Sequence, residues 1–225
     1  MLIKIHSIFN PFGLVNKSIR VSLLRNERFF KGLLLDMGAG EQPYAELVKR
    51  SCTKYIAMDV EVRSKNPLDV MGSSLSLPYK DATFDSILCT EVLEHVNNPS
   101  ALFTEAARVL KKGGNLILTT PMCCPLHEEP HDFFRYTQYG LKTLCETSGL
   151  RVISISERGG AIIAMAQSVG MILYNRYRKK RIRRVFFKSF MVPLYAAAVI
   201  LDKIWYSPKL SLGYSLVAEK TVTEE

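Results

Sequence analysis

The stretch Leu33-Leu34-Leu35-Asp36-Met37-Gly38-Ala39-Gly40 constrains this chain more than any other. An apolar run ends in an acid, and two glycines then flank one small residue. A buried strand delivering the chain to a tight turn reads this way, because Gly38 and Gly40 tolerate positive φ and let a ligand approach the backbone. Glu41-Gln42-Pro43-Tyr44 then opens a helical pattern, with Leu47 and Val48 on one face and Pro43 suited to a first turn. Strand, glycine turn and helix form a nucleotide-binding arrangement. The third glycine of the dinucleotide pattern is absent, since Pro43 stands in its place.

A second apolar run, Tyr55-Ile56-Ala57-Met58-Asp59, ends in an acid about 20 residues past the turn. A carboxylate at that strand tip is placed to accept both hydroxyls of a ribose. Phe84 to Cys89 reads as another strand. Asn98-Pro99 caps and starts a helix with Leu102, Phe103, Ala106, Val109 and Leu110 on its apolar face. Gly113-Gly114 is expected to stop that helix, and Asn115 to Thr120 to form a further strand.

The phrases LLLDMGAG, YIAMDV, LPYKDATFDSILCTEVLEHV and ARVLKKGGNLILTTP cover roughly residues 32 to 121. In their order and spacing they resemble the class I S-adenosylmethionine-dependent methyltransferases, in particular the type 11 group that includes quinone-biosynthesis enzymes. The resemblance implies an enzyme with an α/β fold. Its core would be a Rossmann-like, seven-stranded, mostly parallel sheet with an antiparallel last strand and helices on both faces. Leu150 to Ser156 would be the sixth strand and Leu212 to Glu219 the last. In the resembled fold these two are joined by a fairly short connection. Here roughly 55 residues intervene, too many for an unstructured loop, so a helical insertion over 157–211 is expected near one sheet edge. The rest reads as a single domain over 1–225 with a leading helical segment at 1–31. The crossover between Asp59 and Asp69 is expected to be a loop, with a third strand near Leu68 to Met71.

The resemblance also implies S-adenosylmethionine as cofactor. Gly38, Ala39 and Gly40 would line its amino acid and sugar portions, with Asp36 near its ammonium. Asp59 would take the ribose hydroxyls, Val60 would lie beside the adenine, and Cys89 and Thr90 would meet the methionine part. Where the family often has an Asp-Ala pair, this chain has Ser73-Ser74 before Leu75, and these three are taken as adenine contacts with less charge assistance.

The acceptor side is a dense cluster, Pro121 to Thr137, holding His127, Glu128, His131, Asp132, Phe133, Phe134, Arg135 and Tyr136. It follows the fifth strand, where open α/β sheets bind ligands. His131 or His127 is placed to take a proton from the acceptor, with Asp132 to orient it. Alternatively, His127 and Asp132 hold a loop together over packed aromatics. His127, Glu128, His131 and Asp132 could bind a metal by residue type, but their proline-broken spacing offers no helical His-x-x-x-His face, so no metal is expected.

The net charge of +9 is local. Eight Lys and Arg lie within residues 176–188 with no acid among them, and removing them leaves +1. Two uncharged apolar stretches, Ala161 to Tyr174 and Ser189 to Leu201, flank this run. As helices each would span about 20 Å against a hydrocarbon core of about 30 Å, so neither crosses a bilayer. They are either packed lid helices joined by a solvated basic turn, or an interfacial patch with the basic run on anionic headgroups. The five cysteines are odd in number and lack Cys-x-x-Cys spacing, which fits free thiols in a reducing compartment. With no signal-peptide pattern at the amino terminus, a cytoplasmic protein is expected, peripheral on the inner face of the membrane under the interfacial reading.

The expected function is methyl transfer to a small-molecule, glycan or lipid-linked acceptor. HEEPHDFFRYT resembles methyltransferases found alongside surface-polysaccharide enzymes. A non-catalytic, membrane-associated binding module with the same fold is the alternative. Nucleic acid is an unlikely partner and third choice: Cys89-Thr90-Glu91-Val92 lacks the acid or amide plus Pro-Pro-aromatic pattern of adenine methylation. Met122-Cys123-Cys124-Pro125 also reverses the Pro-Cys order of cytosine methylation.

Overall fold

A computed structural model describes residues 13–63, 65–177 and 181–221, with the backbone alone for 175–177 and 181–188. The first twelve residues of the expected leading segment, and the side chains of the basic run 176–188, therefore lie outside the described residues. The elements are α1 (Gly13–Arg25), a 3-10 turn (Glu27–Phe29), β1 (Leu33–Met37), α2 (Ala45–Val48), β2 (Lys54–Asp59), β3 (Val70–Met71) and β4 (Phe84–Thr90). A second 3-10 turn (Leu93–His95) follows, then α3 (Pro99–Val109), β5 (Leu110–Pro121), α4 (Gln138–Thr147), β6 (Leu150–Glu157), α5 (Ala161–Tyr177), α6 (Arg181–Ile204) and β7 (Gly213–Lys220).

The strands form one seven-stranded sheet in the order β3-β2-β1-β4-β5-β7-β6. The pairs among β1 to β5 are parallel, and β7 runs antiparallel to both β5 and β6. Successive apolar residues alternate between two cores, as a sheet buried on both faces requires. Leu35, Ile87 and Leu116 pack with Phe103 of α3 and Leu141 of α4. Leu34, Leu88 and Ile117 pack on the other face with Ile19 and Leu23 of α1 and Leu47 and Val48 of α2. Local capping fixes where the helices begin: Asn98 Oδ1 accepts from Ala101 N at 3.1 Å and Thr137 Oγ1 from Gly140 N at 3.2 Å.

Two expectations are corrected. The helix after the glycine turn has only four residues, because Gly40 (φ +53°) and Gln42 (φ +56°) are left-handed and keep the chain in turns up to Tyr44. Gly113-Gly114 does not end α3, which stops at Val109. The pair lies inside β5, in an irregular stretch where Phe84 pairs with Leu110 but Ser86 with Asn115. The helical hairpin α5–α6 fills the expected insertion, rooted between the edge strand β6 and its neighbour β7. It leaves the end of β6 and returns to the start of β7, and both points lie at the same end of the antiparallel pair. Among the described residues no helix is long and apolar enough to cross a membrane.

Candidate functional site

A cavity of about 770 Å³ opens at the carboxyl ends of the parallel strands, within the ~300–1,000 Å³ usual for small-molecule and cofactor sites. One wall is built by the tips of β1 and β2. Gly38 N and Ala39 N both donate to Met58 O, at 2.9 and 3.0 Å, which ties the turn to the neighbouring strand. Gly38 (φ +80°) abuts Val92, where a Cβ would overlap its methyl, whereas a Cβ at Gly40 would meet nothing within 4 Å. The turn is therefore closed behind and open in front. Asp59 stands at its floor, nearly buried, accepting from Gly40 N (2.8 Å) and Val60 N (2.7 Å). Two backbone amides thus hold the two oxygens of one carboxylate at a space a ligand can enter.

Of the residues expected to hold cofactor, Gly38, Ala39, Gly40, Asp59, Val60, Ser74 and Thr90 line the cavity. Asp36, Ser73, Leu75 and Cys89 do not. Ser73 Oγ accepts from Leu75 N in a local turn, and Leu75 and Cys89 pack into the main core. Asp36 lies behind the turn with Oδ2 accepting from the Tyr55 hydroxyl and Oδ1 buried without a partner. Burial, reinforced by nearby Asp59 and opposed by the Tyr55 hydrogen bond, pushes its carboxyl up to about 7.

The opposite wall comes from the 3-10 turn after β4 and the loop after β5. His127 and His131 line the cavity as expected; Asp132 does not. Arg135 holds both Asp132 oxygens, at 2.6 and 2.7 Å, and His127 N donates to Oδ2 at 3.0 Å. The Arg135 guanidinium holds the Asp132 carboxyl down to about 2. Asp132 fastens the loop that carries His127, and its Oδ2 also lies 3.4 Å from His127 Nδ1, so it both anchors the loop and faces the ring.

Sequence reasoning passed over Glu91, Glu94 and His95, although all three lie in the matched phrase EVLEHV. Glu91 and His95 line the cavity. Glu91 has left-handed φ (+52°) and its Oε1 accepts from Thr119 Oγ1 (2.9 Å) and from the fully enclosed Arg158 (2.8 Å). Glu94 is completely buried, and its carboxyl is pushed well up by desolvation and by Glu91. His95 Nδ1 lies 2.6 Å from the His131 carbonyl, which can only accept, so Nδ1 carries a proton. Nε2 lies 3.8 Å from Glu94 Oε1. The His95 and His127 rings meet edge to face at 4.8 Å, and Glu94, His95 and His127 offer ligand atoms within 4.8 Å of one another, close enough to share a cation. The hairpin closes this side through Gln167 and Met171 of α5. The signal that could have found this wall was the acid–acid–histidine spacing directly after a strand end.

Comparison with known proteins matches residues 35–118 to the methyltransferase domain family. An uncharacterized protein of Methanocaldococcus jannaschii is 36% identical over 104 residues, 45% of each chain. A ubiquinone biosynthesis O-methyltransferase of Xanthomonas oryzae is 32% identical over 100 residues, 39% of this chain and 42% of the relative. The chain thus spans about half the length, or less, of the curated relatives it matches. Among solved structures, a sarcosine dimethylglycine methyltransferase from Galdieria sulphuraria covers 93% of this chain and 86% of its own, with TM-score 0.58 at 18% identity. Similarity at that level is similarity of fold.

Proposed function

We propose that this chain, which matches a methyltransferase domain family over residues 35–118, is a class I S-adenosylmethionine-dependent methyltransferase that transfers a methyl group to a small-molecule, glycan or lipid-linked acceptor. The observation that carries this reading is the pairing of two unlike walls across one cavity: the open glycine turn with Asp59 on one side and three histidines on the other. The residues present fit the cofactor. The space in front of Gly40 is free, and Asp59 retains acceptor capacity beside the backbone donors that fix it.

When bound, S-adenosylmethionine supplies a methyl already activated on a sulfonium, so the chain has only to hold its two substrates in line and manage one proton. Gly38, Ala39 and Gly40 bind and orient from one wall. Asp59 would accept from the ribose hydroxyls, Val60 and Ser74 would flank the adenine, and Thr90 would meet the methionine part. Ala39 and Tyr44, together with Val15 and Ile19 of α1, give the cavity an apolar lining. His95 takes the acceptor proton at Nε2, and the buried Glu94 carboxyl, 3.8 Å away, faces the imidazolium that forms. His127 and His131 position the acceptor. The eight basic residues within 176–188 suit an anionic membrane surface, and this charge supports an acceptor carried on lipid. Incubation with methyl-labelled S-adenosylmethionine and lipid and glycan extracts tests the reading: label should enter one fraction and be lost in the Asp59→Ala protein.

A further inference from the structure

The cavity does not account for the hairpin's outer surface. On the outward face of α6, Phe190, Ile200, Leu201 and Ile204 are exposed, and Pro193 and Ala197 continue the same stripe. Their spacing keeps them on one side of an α-helix. The outer face of a soluble helix carries charged residues, yet α6 has none from Ser189 to Leu201. The helix is not free to roll and hide the stripe. Its inner face, Met191, Tyr195 and Ala198, is buried against α5. There Gly170 gives Tyr195 its room, since any Cβ would overlap the Tyr195 hydroxyl. Buried Asp202 locks the pair by accepting from Gly160 N (2.8 Å) and Ile162 N (3.1 Å) at the start of α5.

Two further features say what covers the stripe. α6 runs into exposed Trp205 and Tyr206, aromatics of the kind that settle at headgroup depth. Its other end continues the run of eight basic residues without an acid in 176–188. A second copy of this chain would bring two such runs together, whereas an anionic bilayer neutralises them. We propose that α6 is an interfacial helix, lying in the headgroup region of an anionic bilayer with the Phe190–Ile204 stripe against the acyl chains. The anchoring is monotopic, because no described helix can span a bilayer. The surface is separate from the cavity, so this proposal stands or falls independently of methyl transfer.

Trp205 is the only tryptophan in the chain and reports directly on its surroundings. The full chain is titrated with phosphatidylcholine vesicles with and without phosphatidylglycerol, at low and high salt. The expected result is a blue shift of Trp205 emission and co-sedimentation with the anionic vesicles, both weakened by salt. The double variant Ile200→Glu/Ile204→Glu should bind at least about tenfold more weakly, with an unchanged circular dichroism spectrum and unchanged S-adenosylmethionine binding. Three results overturn the proposal: no shift and no sedimentation with anionic vesicles, vesicle binding that the double variant retains in full, or a lipid-free dimer in light scattering whose Trp205 is already blue-shifted.

Discussion

The Gly40 amide donates to Asp59 Oδ2 at 2.8 Å, joining the turn after β1 to the tip of β2. The hydrogen bond spans 19 residues of sequence and crosses the floor of the cavity. It makes the two halves of the expected cofactor site one unit: the glycine that leaves space in front also orients the carboxylate behind.

That unit separates its two glycines by role. Gly38→Ala forces a methyl into Val92 at a left-handed φ, so it should destabilise the fold by on the order of 2 kcal/mol or more. Gly40→Ala meets only the left-handed penalty of ~1–2 kcal/mol, but places its methyl in the open space. Urea unfolding should rank Gly38→Ala as the less stable. Isothermal titration should show Gly40→Ala losing cofactor affinity while it remains folded at ambient temperature.

Asp36 predicts a pH dependence of stability. Its carboxyl titrates near 3.8 when unfolded and about 7 in the native protein, so the native state favours the protonated form. The resulting stability is complete below about pH 4 and is withdrawn as pH rises through about 7, a change on the order of 4 kcal/mol. Asp36→Asn should flatten the melting temperature between pH 4 and 7 and exceed wild type at pH 8. Parallel curves for the two proteins would contradict the assignment.

Arg158 is enclosed by β7, where any Cβ on Gly213 would overlap its guanidinium, and is paired with Glu91. Removing one partner of such a pair strands the other charge, so Arg158→Met should cost about 3–5 kcal/mol in urea unfolding. Adding Glu91→Gln should recover part of the loss. A single variant within about 1 kcal/mol of wild type would rule out this role for the pair.

For the histidines, His95→Ala should lower turnover on the acceptor fraction at least ~10²-fold while leaving cofactor affinity unchanged. His127→Ala and His131→Ala should raise the acceptor KM with smaller effects on kcat. Normal turnover in His95→Ala would move the base elsewhere.

Much of this was legible in the sequence because it is set by local chemistry. Leu33 to Met37 and Tyr55 to Asp59 are apolar runs ended by acids, and they form the strands whose tips hold Gly40 and Asp59. Asn98-Pro99 capped α3 as its residue types require. Other features depended on what the chain meets in space. Nothing local marks Gln42 as left-handed, and it is this that shortens α2. Asp132 and the histidines shared one segment, but nothing in that segment shows that Arg135 grips both Asp132 oxygens while Oδ2 faces the His127 ring. Glu94 and His95 follow β4 and meet His127 only after the β5 loop folds back, so their pairing lay beyond any sequence pattern.

Calorimetric titration of the full chain with S-adenosylmethionine, alongside Asp59→Ala, tests the central claim most directly. Each hydrogen bond from a ribose hydroxyl to the carboxylate contributes ~1.5–3 kcal/mol. The wild type should therefore bind with saturable heat and the variant at least about tenfold more weakly, with an unchanged fold. Absence of binding by the wild type, or equal affinity in the two proteins, would contradict the account.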